Sequence, residues 1–223
     1  KKGAVMPKWS MVIDVKRCIG CWSCSISCKE EHFLPPGVFW NRVLIGEKGK
    51  YPTSKKIMYP VLCNHCEEAA CVDACPTGAT FKREDGIVMI DYDQCVGCRA
   101  CLVSCPYQQR TYYTKELKEA EYFPGQGKTS FEQLGEEIYP FQVGTVMKCN
   151  FCAERLDDGI SRGLVPGKDT DATPACVNAC PVGARHFGDM DDPESDVSRL
   201  VKEESGKQLR PEFGTEPCVF YID

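Results

Sequence analysis

Sixteen of the seventeen cysteines fall into four groups of four: Cys18, Cys21, Cys24 and Cys28; Cys63, Cys66, Cys71 and Cys75; Cys95, Cys98, Cys101 and Cys105; Cys149, Cys152, Cys176 and Cys180. Cys218 stands alone. Thiols at this density bridge one another, hold zinc or hold iron–sulfur clusters. Disulfides suit small exported domains. Here the count is odd, the chain is 223 residues long, and neighbours two residues apart are poorly placed to pair. Structural zinc takes separated C-x-x-C pairs from two loops. The first and third groups instead supply three close cysteines and then a fourth. That spacing, C-x2-C-x2-C-x3-C, suits a cubane: one tight loop presents three thiolates, and the fourth, about a helical turn further on, faces a neighbouring cluster. Three groups are followed by proline (Pro76, Pro106, Pro181), whereas Lys29 takes that place in the first. Sixteen ligands make four 4Fe–4S clusters.

The elements that must position these thiols follow from an internal repeat. MVIDVKRCIGCWSCSISC (residues 11–28) matches VMIDYDQCVGCRACLVSC (88–105) at eight of eighteen positions. ACVDACPTGA (70–79) matches ACVNACPVGA (175–184). Groups one and three are therefore one type, and groups two and four another. Residues 63–105 read as an uninterrupted ferredoxin-like unit. It predicts a strand at Ala79 to Phe81, a polar turn at Lys82 to Gly86 and a returning strand at Ile87 to Ile90. The other unit is split: group four and a strand around Ala184 to Phe187 supply one half, and group one with a strand at Met11 to Val15 supplies the other. The expected fold is α+β, two nested ferredoxin-like units with insertions. Residues 1–62 with 141–190 form the outer unit and 63–110 the inner one; 111–140 are an inserted connecting segment and 191–223 a C-terminal extension. Crossed ligation, in which the fourth cysteine of a run serves the other cluster, gives four sets: Cys63, Cys66, Cys71 and Cys105; Cys75, Cys95, Cys98 and Cys101; Cys18, Cys21, Cys24 and Cys180; Cys28, Cys149, Cys152 and Cys176. Pairing group one with two and three with four is topologically open but breaks the match between repeats.

From about Met11 to Gly188 the chain resembles the four-cluster electron-transfer subunit of molybdopterin oxidoreductases. CNHCEEAACVDACPTGA and CNFCAERLDDG…PACVNACPVGA carry the likeness. Its ending, GTEPCVFYI, is similar to the small subunits of arsenate reductases and transhydroxylases. The resemblance implies a non-catalytic chain that relays single electrons to or from a large partner subunit holding a molybdopterin molybdenum or tungsten centre. It places the cluster of Cys18, Cys21, Cys24 and Cys180 nearest that centre. A membrane quinol-reactive subunit, a cytochrome or a soluble donor would lie at the other end. Some relatives carry Trp in the third group and hold a three-iron cluster; Cys98 implies a full cubane here. A free polyferredoxin carrier without a fixed partner is the alternative reading.

Composition agrees with a cofactor-held fold. Leu, Ile, Val and Phe number 48, about 22% of the chain, close to the level at which burial alone stops supporting a fold. Net charge is −5, which argues against a nucleic-acid partner. No apolar run is long enough to span a bilayer, and Lys1 to Ser10 lacks the apolar stretch of a signal peptide. The expectation is a soluble chain, either cytoplasmic or exported as a passenger on a partner's twin-arginine signal. Trp22 and Arg99 occupy equivalent places, and the Arg side is expected to be tuned to higher potential. His65 lies between two ligands, where it either donates to a sulfide or faces solvent; His32 and His186 show no partner pattern. Cys218 reads as a structural thiol. Gly125 to Ser130, GQGKTS, imitates a phosphate loop but lacks its first glycine and its strand, so it reads as a polar loop. A short helix is expected around Lys115 to Glu121. The segment 112–147, the loop 160–174 and the tail 189–223 are expected to pack on a partner subunit.

Overall fold

The computed structural model describes residues 6–223; Lys1 to Val5, part of the stretch read for a leader, lie outside them. The first strand, β1 (Trp9–Asp14), leads into the first thiol loop and α1 (Ser23–Glu31). A hairpin of β2 (Asn41–Lys48) and β3 (Lys55–Leu62) follows. The second group surrounds α2 (Ala70–Asp73), and the strands β4 (Thr80–Lys82) and β5 (Val88–Ile90) lead to the third group around α3 (Ala100–Val103). Next come β6 (Thr111–Tyr112), α4 (Lys115–Glu119), α5 (Ser130–Ile138), β7 (Val146–Met147) and α6 (Ala153–Ser161). The fourth group continues to α7 (Ala175–Asn178) and β8 (Arg185–Asp189). The tail holds α8 (Asp196–Glu203), β9 (Lys207–Gln208) and β10 (Val219–Ile222).

Helix length follows from the residue after each fourth cysteine. Where that residue is proline, the preceding position is pushed out of the helical region. Accordingly α2, α3 and α7 are only four residues long. Lys29 lifts the restriction, and α1 runs nine residues to Glu31. Its ammonium then donates to the carbonyls of Leu34 (3.1 Å), Pro35 (2.7 Å) and Val38 (3.0 Å), closing the chain that leaves the helix.

The repeats pair as their patterns predict. Thr80 to Lys82 lie antiparallel to Val88 to Ile90, with Thr80 opposite Ile90. β1 lies antiparallel to β8, with Ile13 opposite Arg185 and Met11 opposite Phe187. This brings residues from near both ends of the chain into one four-stranded sheet, ordered β8-β1-β10-β9. α1 packs beside α7, and the Ser27 hydroxyl donates to Ala175 O at 3.0 Å. The end of the tail departs from the expectation of a partner contact. β10 runs parallel to β1, Met11 to Val219, because Val219, Tyr221 and Ile222 bury their side chains in this chain's own core.

That core is small and mixes aliphatic side chains with cysteine thiols. Met11, Ile13, Leu62, Ile87, Met147, Phe151 and Leu156 are fully buried beside Cys24, Cys28, Cys149 and Cys176. In the segment 112–147 a short helix does form, at Lys115–Glu119. The polar loop after it closes on a carboxylate: Glu121 accepts the N–H groups of Gly125 (2.6 Å) and Gly127 (2.9 Å). Thr129 then caps α5 in a reciprocal pair with Glu132. Among the described residues no helix is long and apolar enough to cross a membrane.

Candidate iron–sulfur site

Each thiol loop turns through left-handed backbone. Gly20 and Gly97 sit one residue before Cys21 and Cys98, at φ +68° and +63°. Trp22 and Arg99, one residue after them, share φ +64° and lead into α1 and α3. The repeat therefore extends to conformation, and the two loops curl in the same sense. At Gly97 the reason is also steric, because a Cβ would run into the carbonyl oxygen of Gly144.

All seventeen cysteines are free, and thiols from distant segments influence one another's ionisation. Burial drives the Cys28 thiol well above its ordinary pKa, and Cys149, Cys176 and Cys152 lie close enough to add to that rise. Cys18 is raised by burial, against the Gly20 N–H, with Cys24 and Cys180 nearby. Cys66 is pushed up to about 12 by burial and by Cys63, with Cys71 and Cys105 adding. Cys149, also near 12 through burial, neighbours both Cys63 and Cys176. Buried thiols of this kind resist ionisation unless a cation or metal meets them. Direct coordination to iron supplies that compensation, because a coordinating thiol is deprotonated outright.

Donors already point at the sulfurs. The amide N–H of Thr80 lies 3.3 Å from Cys75 Sγ, and that of Ala184 lies 3.2 Å from Cys180 Sγ. Phe151 N–H reaches Cys149 Sγ at 3.5 Å, and His32 Nε2 lies 3.3 Å from Cys152 Sγ. Three buried cations stand among the thiols. Arg185 donates to Asn41 Oδ1 (2.8 Å) and touches Cys176 Sγ (3.7 Å), with Cys24 and Cys180 also near. Arg110 donates to the Thr80 hydroxyl at 3.2 Å and lies beside Cys71, Cys101 and Cys63. Lys148 donates to the carbonyls of Val88 and Cys149, with Cys63 and Cys71 close by.

Some of this polar lining lacks a protein partner. His65 is 1% exposed and stacks on Phe151, with ring centroids 3.8 Å apart. Its Nδ1 accepts the Val88 N–H at 3.1 Å, so the proton is on Nε2. That Nε2, the Asn64 amide and Arg110 Nη2 are buried and unpaired. Unpaired buried donors are costly, and here they neighbour ligand positions. They fit an anionic, sulfide-rich group. Among the described residues no three His, Cys, Asp or Glu side chains converge on a point, as a single tetrahedral ion would require.

The sequence missed several of these residues. His32, which showed no partner pattern, touches Cys152. Arg185, Arg110 and Lys148 carry no motif, since each meets thiols from more than one segment of the chain. Arg99 is exposed and lies over the Tyr112 ring at 3.8 Å. Cys218 is 3% exposed just before β10, where Met11 N–H donates to its carbonyl and its own N–H to Asn64 O.

The cysteine loops, the short helices and the β4–β5 hairpin define a ferredoxin-like iron–sulfur protein of mixed α and β structure. Residues 54–122 match the family described as a 4Fe-4S dicluster domain. A Halobacterium salinarum protein named as a dimethyl sulfoxide reductase iron-sulfur subunit is 42% identical, across 98% of this chain and 80% of its own length. A selenate reductase subunit of Mesobacillus selenatarsenatis is 39% identical, across 96% and 72%. The arsenate respiratory reductase iron-sulfur subunit of a Shewanella species is 37% identical, across 95% and 94%. The chain belongs to this family of iron–sulfur subunits of multi-subunit reductases. It is an electron-transfer subunit rather than a catalytic one.

Proposed function

We propose that the chain holds four 4Fe–4S clusters and relays single electrons along them. The ligand sets are Cys18/Cys21/Cys24/Cys180, Cys28/Cys149/Cys152/Cys176, Cys63/Cys66/Cys71/Cys105 and Cys75/Cys95/Cys98/Cys101. The observation that carries this reading is the neighbourhood of the thiols. Cys28 lies with Cys149, Cys152 and Cys176, from a group over a hundred residues away, and Cys105 lies with Cys63, Cys66 and Cys71. Both are the crossed positions. Nested units, with 1–62 and 141–190 outside, 63–110 inside, 111–140 inserted and 191–223 appended, are supported by the antiparallel pairing of β1 with β8.

When bound, each cluster supplies a one-electron couple whose potential depends on hydrogen bonds, charge and exposure. The chain fixes all three. Left-handed glycine turns set the loop shapes, backbone N–H groups donate to the sulfurs, and buried cations offset the negative charge. Contacts between sets suggest an order. Cys24 neighbours Cys176, Cys149 neighbours Cys63, and Cys63 shares Arg110 with Cys101. The path would run from the Cys18 set through the Cys28 and Cys63 sets to the Cys95 set.

The partner follows from kinship: a large subunit with a molybdopterin molybdenum or tungsten centre, docked nearest the Cys18 set. A cleft of about 550 Å³ has Cys18 in its wall together with Lys16, Lys48, Lys55, Lys56 and Lys207. Such a basic rim suits an acidic partner face. At the Cys95 set electrons would be exchanged with a membrane quinol-reactive subunit or a soluble donor. The test is anaerobic purification of the tagged chain from its host, with mass spectrometry of what accompanies it. A stoichiometric molybdopterin protein is expected. A monomer with full cluster content would instead favour a free polyferredoxin.

A further inference from the structure

Two guanidiniums buried among the thiols reach matching places from unrelated positions. In the aligned segments ACVDACPTGAT and ACVNACPVGAR, Thr80 stands where the second copy has Arg185. Arg110 lies thirty residues beyond Thr80, yet its Nη1 rests on the Thr80 hydroxyl. Its counterpart in the other repeat, five residues after the last ligand, is Phe33, which stacks on Phe131 instead. One unit thus brings its cation from the strand after α7, and the other from the segment after α3.

The thiols around each cation come from both ligand sets of its unit. Arg185 neighbours Cys24 and Cys180 of one set and Cys176 of the other. Arg110 neighbours Cys63 and Cys71 of one set and Cys101 of the other. Both are nearly inaccessible, at 4% and 7% exposure, and a guanidinium cannot shed its charge. Burying such a charge seldom stabilises a fold by itself.

We propose that each ferredoxin-like unit keeps one guanidinium between its two clusters, and that this fixed charge raises both reduction potentials. The proposal rests on the ligand sets given above. Adding an electron increases negative charge, so a nearby cation in a poorly screened interior favours the reduced form.

EPR-monitored redox titration of the full chain, anaerobically loaded, tests it. Arg110→Gln should disfavour reduction of the Cys63 and Cys95 clusters at least about tenfold, or about 59 mV for a one-electron couple. The other two should not move. Arg185→Gln should show the mirror pattern. Arg110→Lys should keep the wild-type midpoints, and the exchange Thr80→Arg with Arg110→Thr should restore them. Unchanged midpoints in Arg110→Gln overturn the proposal. So do Lys and Gln variants that shift equally or lose their clusters equally, since shape rather than charge would then be at work. Fewer than four clusters in the wild-type chain would mean that the ligand reading itself has failed.

Discussion

Three glycines beside ligand positions separate backbone conformation from close approach. Gly78, Gly20 and Gly97 all have φ near +65 to +70°. A Cβ at Gly78 meets nothing within 4 Å. Gly78→Ala therefore incurs only the left-handed conformation, about 1–2 kcal/mol. At Gly20 the Cβ falls 2.8 Å from Met58 Sδ, the far end of a flexible side chain that can move. About 1 kcal/mol more is expected there. At Gly97 it collides with the Gly144 carbonyl, with Tyr112 Cε2 only 3.2 Å away. The obstructing peptide is itself tied down, because its N–H, that of Thr145, donates to Gln142 O, and the peptide before it donates from Gly144 N–H to Tyr113 O. Overpacking against fixed backbone lies at the upper end of the usual range, for a total of about 3–5 kcal/mol. Apparent melting temperatures of anaerobically loaded protein should then fall in the order Gly78→Ala, Gly20→Ala, Gly97→Ala. The gap between first and last should be about 5–10 °C for a chain of this size. Gly97→Ala should lose iron first from the Cys95 set. Equal losses at Gly78 and Gly97 would refute the reasoning, because conformation alone would then account for every glycine.

Three further outcomes are expected. Cys75→Ser should damage the cluster of Cys95, Cys98 and Cys101 and spare that of Cys63, Cys66 and Cys71; EPR showing the reverse would refute crossed ligation. Lys29→Met keeps the apolar stem but strips three carbonyls of their charged donor, so stability should drop by about 2–4 kcal/mol in chemical denaturation. A change below about 0.5 kcal/mol would mean that water replaces the ammonium without cost. Burial lifts the Cys218 thiol to about 11 in the folded chain, against an ordinary value of 9.0. Below pH 9 the thiol is neutral in both states. Between 9 and 11 the unfolded chain ionises and the folded chain does not, so this thiol makes stability fall by about 2–3 kcal/mol as pH rises through that window. Cys218→Ala should flatten that slope, and an unaltered slope would contradict the assignment.

The candidate thiol positions and the short elements were legible because the information is local. The spacing within each group, the prolines after three of them and the apolar run that opens at Met11 need no knowledge of the rest of the fold. The pairing of β1 with β8 was also legible, through the repeat. The buried cations were not. Arginine and lysine usually lie at the surface, and only the assembled thiols reveal why Arg185, Arg110 and Lys148 turn inward. β10 was hidden for a related reason. VFYI is a short apolar run whose partner, β1, lies some two hundred residues earlier. The Arg99–Tyr112 contact was hidden too, because equivalence in sequence with Trp22 does not fix where a long side chain goes.

The whole account turns on iron. Colorimetric iron and acid-labile sulfide, measured on anaerobically purified chain against a protein concentration from amino-acid analysis, should give about sixteen of each per polypeptide, as four four-iron clusters require. A well-folded, colourless protein without iron, or one holding only stoichiometric zinc, would contradict it.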